Sequence, residues 1–245
     1  MHLRNLPAAL LSFLLALGTM ERSQAQEPQY SFHQSFSLFG EYSNTSSRII
    51  LGAAQNRRFA ALGLGYSRRL LHSRHVDWYY APEVLPLVFL EDPVATDTFG
   101  FSDLQPVTQL SPTSSPCRSE YVSIPPDPHP GPPVFTFRRT CGIRWTYAGG
   151  ISPLGQRLNF RPGKRLQPFL MDNAGFLVSP RDIPVDFSSR FNFTFEFGGG
   201  LEFFRTPRHS WSLSYRIHHL SNGFIGANNP GVDNQILRLI YTLGR

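Results

Sequence analysis

The sequence predicts an all-β protein, an eight-stranded antiparallel transmembrane β-barrel. Apolar and polar residues alternate with a period of two in several separate segments, which is typical of strands with two unlike faces. Several of these segments sustain the roughly 9 to 11 residues that a tilted membrane strand requires. Aromatic residues make up 13% of the chain. They concentrate on the apolar side of the segments, often near the ends, as the interface girdles of membrane barrels do.

The alternation is clearest between residues 191 and 203. The apolar positions there are Phe191, Phe193, Phe195, Phe197, Leu201 and Phe203, and the intervening positions are Asn192, Thr194, Glu196, Gly198, Gly200 and Glu202. A soluble sandwich produces the same pattern when its polar face meets water. A membrane barrel produces it with apolar residues toward lipid and small or charged residues in the lumen. Strand length and aromatic content favour the barrel.

Eight segments carry the strand pattern, and an even number suits a closed antiparallel barrel. They are residues 32–43, 57–70, 76–90, 138–151, 163–178, 190–204, 210–222 and 233–243. The third segment contains Pro82 and Pro86, and proline cannot donate to a strand ladder. The connections after the second, fourth and sixth segments are the shorter or simpler ones. We therefore expect these connections on the periplasmic side and the longer loops outside.

The first 25 residues predict an export signal, followed by one barrel domain over residues 26–245. Arg4 supplies positive charge, residues 6–17 form an apolar run, and Ala25 ends a small-residue cleavage site. An apolar run of this length is too short to span a bilayer as a helix. Export and a membrane barrel together predict a location in the outer membrane.

The net charge of +6 comes from scattered basic residues such as Arg68-Arg69, Arg138-Arg139 and Lys164-Arg165. These residues form no stripe, and no nucleic-acid motif accompanies them, so we expect no nucleic-acid partner. A mild positive excess is compatible with an anionic partner without requiring one.

A long connection follows the third predicted strand, over about residues 91–137, and holds ten of the 21 prolines. Its Ser, Pro and Gly content predicts a loop with little regular structure. Cys117 and Cys141 could form a disulfide in the oxidising space beyond the inner membrane, or remain two unpaired thiols. Neither cysteine lies in a metal-ligand spacing, so no metal site is expected.

The last two predicted strands carry residues that could perform chemistry. Alternation places three polar residues, His219, Ser221 and Asp233, on the same outward face as the apolar positions. Those apolar positions are Trp211, Leu213, Tyr215, Ile217, Leu237, Leu239, Tyr241 and Leu243. The Asn-, Gly- and Pro-rich segment 222–231 suits a hairpin loop that would bring the three together. Serine becomes a useful nucleophile when a histidine accepts its proton and a carboxylate orients the histidine. The alternative interpretation is ordinary polar residues at a barrel rim.

The segment from Arg216 to Gly223, continuing through residues 228–233, resembles the active-site region of the PagL-type lipid A 3-O-deacylases. Residues 146–155, where a Gly-rich strand runs into a Ser-Pro turn, are similar to the same family. The resemblance implies an outer-membrane barrel with its catalytic triad on the outside, in the outer leaflet. It assigns the histidine role to His219, the serine role to Ser221 and the acid role to Asp233.

The resemblance also favours Asn229 and the Gly223 amide as the donors that stabilise an oxyanion. Two of this chain's departures from the family pattern concern the acidic residue and the long connection. Asp233 is one methylene shorter than the family's usual glutamate, and the proline-rich insertion is additional.

These observations predict an outer-membrane esterase, without metal or cofactor, that removes the 3-O-linked acyl chain of lipid A. Lipid A or lipopolysaccharide would be its substrate partner, and the sequence leaves a homodimer open. One alternative is a non-enzymatic structural or adhesive outer-membrane barrel. Another is a phospholipase or acyltransferase that acts on membrane lipids.

Overall fold

The computed structural model describes residues 30–101, 104–125 and 134–245, and the regular elements in these ranges are eleven β-strands. The strands are β1 (Gln34–Ser43), β2 (Arg58–His72), β3 (Val76–Tyr80), β4 (Glu83–Phe101), β5 (Leu104–Pro112), β6 (Glu120–Ile124), β7 (Phe135–Phe160), β8 (Leu166–Ile183), β9 (Ser189–Thr206), β10 (His209–Ser221) and β11 (Val232–Gly244). Within these ranges, no helix is long and apolar enough to cross a membrane. The predicted signal segment, residues 1–25, lies outside them.

The strands close into a ring in which every pairing is antiparallel. β1 pairs with β2 on one side and with β11 on the other, and the sequence-adjacent strands β7 to β11 pair in order. One strand position lies between β2 and β7, and two strands share it. β3 pairs with β2 and β7 at one end of the barrel, and β4 pairs with the same two strands over the rest of its height. The ring therefore has eight strand positions, and the predicted eight-stranded antiparallel barrel is confirmed.

The third strand position differs from the prediction of one continuous strand over residues 76–90. The structure divides it into β3 and β4, separated by Ala81 and Pro82. A register shift then occurs between Leu85 and Val88, on either side of Pro86. Both irregularities follow from the missing N–H of proline, which interrupts the ladder of hydrogen bonds.

The proline-rich connection is more regular than the sequence predicts, and the expectation of little regular structure over residues 91–137 is wrong. β4 and β7 continue past the ring as far as the pair Phe101 and Phe135, β5 adds to β4, and β6 adds to β7. We call this four-stranded projection, residues 92–143 where described, the extension. Its prolines Pro106 and Pro112 lie in β5, which among the described strands pairs only with β4, and edge strands tolerate proline. A disulfide joins Cys117 to Cys141 in β7.

The two faces of the barrel differ as a membrane barrel requires. Outward side chains on β10 and β11, such as Leu213 and Leu239, are about half exposed. Inward, Arg216 and Arg238 are fully buried and form ion pairs with glutamates, including Arg216 Nη1 with Glu196 Oε2 at 3.1 Å. Glu41, Glu83 and Glu196 pair with Arg238. This network matches the predicted inward direction of Glu196.

The two ends of the barrel also differ. At one end, the short-turn end, the connections are residues 73–75, 161–165 and 207–208. At the other, the long-loop end, lie residues 44–57, residues 222–231 and the extension. Toward the long-loop end the interior is packed with apolar side chains, namely Phe59, Leu177, Leu220 and Ile236. These apolar side chains fill the interior at this end.

Candidate active site

Strand β10 determines which of its side chains face outward. Its even-numbered residues, including His218 and Leu220, are buried, whereas odd-numbered residues such as Trp211 and Tyr215 are exposed. His219 and Ser221 continue the outward parity at the long-loop end, and both are partly exposed. His218 faces the interior, where its ring lies 5.0 Å from that of Phe59. Only the second histidine of the pair therefore belongs to the outer site.

His219 and Asp233 face each other across the β10 and β11 ladder. The Nδ1 atom of His219 lies 2.6 Å from Oδ1 of Asp233, a short charge-assisted distance. With Nδ1 engaged, Nε2 is the ring nitrogen left to exchange a proton. The pair has the arrangement in which a carboxylate fixes the tautomer and orientation of a catalytic imidazole.

Ser221 follows His219 by two residues on the same face of β10. Same-face neighbours on a strand have Cα atoms about 6.5 to 7 Å apart. The Oγ atom of Ser221 makes no hydrogen bond with any part of the chain that the structure describes. The structure thus brings the predicted base and acid into contact and places the predicted nucleophile beside them without a bond to the base.

Residues 222–231 form the loop that holds the two predicted oxyanion donors. The chain turns at Gly223 and Phe224, both with positive φ (60° and 64°), and Ile225 N donates to Asn222 O at 3.2 Å. Two successive positive φ values define a type I′ turn, and glycine adopts this conformation without the cost that a side chain adds. Asn229 Oδ1 accepts from the backbone N–H of Asn222 at 3.0 Å.

This arrangement leaves two N–H donors uncommitted. Because Asn229 uses its amide oxygen to accept, its Nδ2 group remains available, and Nδ2 bonds to no residue within 30–101, 104–125 or 134–245. The same holds for the backbone N–H of Gly223. Both predicted donors therefore lie in the loop that follows Ser221, and no described residue accepts a hydrogen bond from either of them.

Sequence reasoning missed the contribution of residues 44–57, the connection between β1 and β2. Four successive backbone N–H groups of this segment donate to Oδ2 of Asp233. They belong to Ile49 (3.0 Å), Ile50 (2.6 Å), Leu51 (3.1 Å) and Gly52 (2.9 Å). We call residues 49–52 the amide cradle. Backbone amides leave no side-chain signature in a sequence, so only Gly52, a glycine in an apolar run, could have signalled the close approach.

Apolar side chains surround the polar groups at this end of the barrel. Phe224 is 84% exposed and Leu51 is 76% exposed. The other exposed apolar residues of the nearby loops are Ile49, Ile50, Phe187 and Ile225. The site is therefore a small polar constellation at the edge of an apolar outer surface. In the described ranges, no group of three or more His, Cys, Asp or Glu side chains is arranged to hold a metal ion.

Comparison with known proteins gives one family match. Residues 144–242 match the family model described as lipid A 3-O-deacylase (PagL). The crystal structure of the outer membrane enzyme PagL is similar at 12% identity and a TM-score of 0.48, with 85% of this chain and 99% of that one covered. No curated protein matches the sequence.

Two further solved structures are similar. Neisserial surface protein A has 10% identity and a TM-score of 0.41, with 87% of this chain and 97% of that one covered. The attachment invasion locus protein Ail of Yersinia pestis has 12% identity and a TM-score of 0.35, with 87% and 100% covered. The range 144–242 that matches the deacylase model contains His219, Ser221, Asp233 and both oxyanion candidates. Over these residues the chain is matched by the PagL family of lipid A 3-O-deacylases, and the resemblance carried by its sequence is confirmed.

Proposed function

We propose that this protein is an outer-membrane esterase that hydrolyses the 3-O-linked acyl chain of lipid A with Ser221, His219 and Asp233. The observation that carries the proposal is the 2.6 Å contact between His219 and Asp233 on the outer, apolar side of a closed barrel. The barrel fold and the family match support the outer-membrane location and lipid A modification. The serine mechanism and the 3-position of the cleaved acyl chain are the parts that we propose.

In the first half of the reaction, Ser221 Oγ attacks the carbonyl carbon of the ester while His219 Nε2 accepts the hydroxyl proton. The tetrahedral intermediate carries its negative charge on the former carbonyl oxygen, where the Gly223 N–H and Asn229 Nδ2 can donate. When the intermediate collapses, the bond to the sugar oxygen breaks. His219 returns its proton to this leaving oxygen, so that deacylated lipid A and an acyl-serine result.

In the second half, a water molecule attacks the acyl-serine while His219 Nε2 accepts one of its protons. The second tetrahedral intermediate uses the same two donors. Its collapse releases the fatty acid and returns the proton to Ser221 Oγ. Throughout, Asp233 remains a carboxylate that orients the Nδ1–H of His219 and stabilises the imidazolium.

The surroundings of the site favour an embedded acyl ester over a soluble one. A lipid substrate presents its ester at the boundary between acyl chains and polar head group. The exposed Leu51, Phe224 and Ile225 offer apolar contact next to the polar groups of the site. These side chains offer the acyl chains of a membrane lipid an apolar surface like that of the surrounding bilayer, so the ester can reach the polar groups without its chains entering water.

The test is mass spectrometry of lipid A from a bacterial host that lacks deacylase activity, with and without this protein. We expect the mass loss of one 3-O-linked acyl chain with the unaltered protein and none with Ser221→Ala or His219→Ala. His209→Ala is a matched control, because His209 faces outward on the same strand at the short-turn end. Heat-dependent migration on gels would establish that each variant has assembled.

The rival functions give different outcomes in the same experiment. A phospholipase would leave lipid A intact and generate lysophospholipid, and an acyltransferase would add an acyl chain to its acceptor. A structural or adhesive barrel would change neither lipid. Unchanged lipid A beside an assembled protein, or full activity in Ser221→Ala, would overturn the proposal.

A further inference from the structure

We infer that the amide cradle, residues 49–52, is a positioning device of the catalytic machinery and makes aspartate, rather than glutamate, the acid that this protein requires. The inference rests on the proposed function. It concerns a connection between the first two strands that lies outside the range 144–242 matched by the family model. Its four backbone N–H groups act through Asp233 and do not touch the reacting atoms.

The cradle and His219 hold different oxygens of the same carboxylate. Oδ2 of Asp233 accepts all four cradle hydrogen bonds, at 2.6 to 3.1 Å, and Oδ1 faces His219 at 2.6 Å. Fixing Oδ2 determines the rotation of the whole carboxylate plane. The direction of Oδ1, and with it the orientation of the imidazole, therefore depends on the cradle.

The cradle also supplies the charge stabilisation that the carboxylate needs. Asp233 is fully buried, and no Lys or Arg in the described part of the chain pairs with it. A buried carboxylate without a cation requires several strong hydrogen bonds to stay ionised. Successive backbone N–H groups form a concave anion site that supplies them. The negative charge that stabilises the imidazolium of His219 is thus maintained by backbone dipoles.

Hydrogen bonds on both sides of the cradle anchor its segment to the chain around Asp233. On one side, Ser47 N donates to Asp233 O at 3.0 Å. On the other, Ala54 N donates to Gly231 O at 3.0 Å. Because both attachments involve the strand and loop that carry the catalytic acid, the cradle and Asp233 are joined in one hydrogen-bonded unit.

Arg57 extends this anchoring to the rest of the long-loop end. Its fully buried guanidinium pairs with Asp92 through Nε at 2.8 Å. Its Nη2 donates to Thr113 O of the extension at 2.7 Å and to Pro184 O at 3.2 Å. Its backbone N–H donates to Ser46 Oγ at 3.0 Å. The extension is therefore hydrogen-bonded to residues 44–57, the same connection that holds Asp233.

Gly52 allows the approach on which the cradle depends. A Cβ atom at this position would lie 2.5 Å from the backbone nitrogen of Asp233 and 2.7 Å from its Cγ. Both distances are far shorter than any tolerated carbon contact, and the first involves backbone. Any side chain at residue 52 must therefore push the cradle away from the carboxylate.

The length of the acidic side chain is matched to this arrangement. Asp233 already reaches His219 while it occupies the cradle, so its shorter chain is no deficit. A glutamate adds one C–C bond of about 1.5 Å. Its carboxylate could not keep the four amide bonds and the histidine bond at once. Although the family resemblance associates this position with glutamate, Asp233→Glu should impair this protein.

The experiment compares Gly52→Ala and Asp233→Glu in the purified full chain, with lipid A in detergent micelles as substrate. Gly40→Ala is the matched control, since a Cβ there would meet only Leu62 Cδ2 at 3.6 Å. We expect kcat to fall about 10²-fold in each test variant, the loss that a 1 Å misplacement can produce, with KM within about 2-fold of the parent. The control should keep both constants.

A double variant distinguishes positioning from general destabilisation. If Gly52→Ala and Asp233→Glu disturb the same contact, their combination should lose little more than either alone, whereas independent damage would multiply to about 10⁴-fold. Unchanged kcat in Asp233→Glu would overturn the inference, even if Gly52→Ala did not assemble. An inactive parent protein would instead overturn the proposed function. The experiment therefore distinguishes failure of the inference from failure of the proposed function.

Discussion

The two ends of β10 present the same residue type in the same direction with different partners. His209 and His219 both face outward on this strand. At the short-turn end, Nδ1 of His209 lies 2.9 Å from the hydroxyl of Tyr241. At the long-loop end, Nδ1 of His219 lies 2.6 Å from the carboxylate of Asp233. A phenol offers no negative charge near neutral pH, so only the second histidine has an orienting anion.

The difference arises from the connections rather than from the strands. At the short-turn end the hairpin between β9 and β10 consists of residues 207–208, which are too few to cover a side chain. At the long-loop end, residues 44–57 enclose Asp233 and residues 222–231 present free N–H groups beside Ser221. The strand ladder sets the direction of the side chains at both ends. Only at the long-loop end do connecting loops add hydrogen-bonding groups around the histidine and its partner.

The largest expected effect comes from removing each histidine in turn. His219→Ala should lower kcat on the order of 10⁶-fold, because the serine then lacks a base, while His209→Ala should stay within about 2-fold of the parent. Deacylation rates of the two purified variants would measure the contrast. Equal losses of kcat in the two variants would contradict a catalytic role that is specific to His219.

Asp233→Ala should produce the next largest loss, about 10⁴-fold in kcat, since the imidazole would keep its position on β10 but lose its orienting anion. Tyr241→Phe is the matching change at the short-turn end. It removes the hydroxyl next to His209 and should leave the rate unchanged. Steady-state kinetics of both variants would show whether the partner of the histidine Nδ1 atom matters for the rate only at the long-loop end.

Asn229→Ala should lower kcat by about 10² to 10³-fold with KM nearly unchanged, as the loss of one oxyanion donor does. Its side chain also accepts from the N–H of Asn222, so Asn229→Asp serves as a second variant that retains this acceptor, replaces the donor with an acceptor and adds a negative charge. Asn229→Asp should lose at least as much activity as Asn229→Ala, because its charge also opposes the negative charge of the oxyanion. A normal rate in Asn229→Asp would exclude the side-chain donor from the oxyanion site.

The sequence predicted those parts of the molecule that follow from the period of a strand. Parity alone put His219 and Ser221 on the outer face and Glu196 inside, and the pairing of the last two strands then placed Asp233 opposite His219. Features that depend on distant partners were not predictable in this way. The strands of the extension depend on such partners. β7 is 26 residues long, and the part of it beyond the ring pairs with β6.

The amide cradle was hidden for a different physical reason. Every residue has a backbone N–H, so four converging amides produce no pattern in composition or spacing. The side chains of Ile49, Ile50 and Leu51 are apolar and partly exposed, which gives no hint that their backbone binds a carboxylate. Proline-rich composition was similarly misleading for β5, because an edge strand can accommodate proline wherever its N–H is not needed.

The smallest expected effect concerns the disulfide between Cys117 and Cys141, which lies in the extension and not in the barrel. Replacing both with serine should leave barrel assembly unchanged and make the extension more sensitive to limited proteolysis, because the denatured extension regains chain entropy worth about 2 to 4 kcal/mol. Thr113 of the extension contacts Arg57, which anchors the segment around Asp233, so kcat should fall by a few-fold at most. An unchanged rate despite faster proteolysis would show that the long-loop end positions its acid without help from the extension.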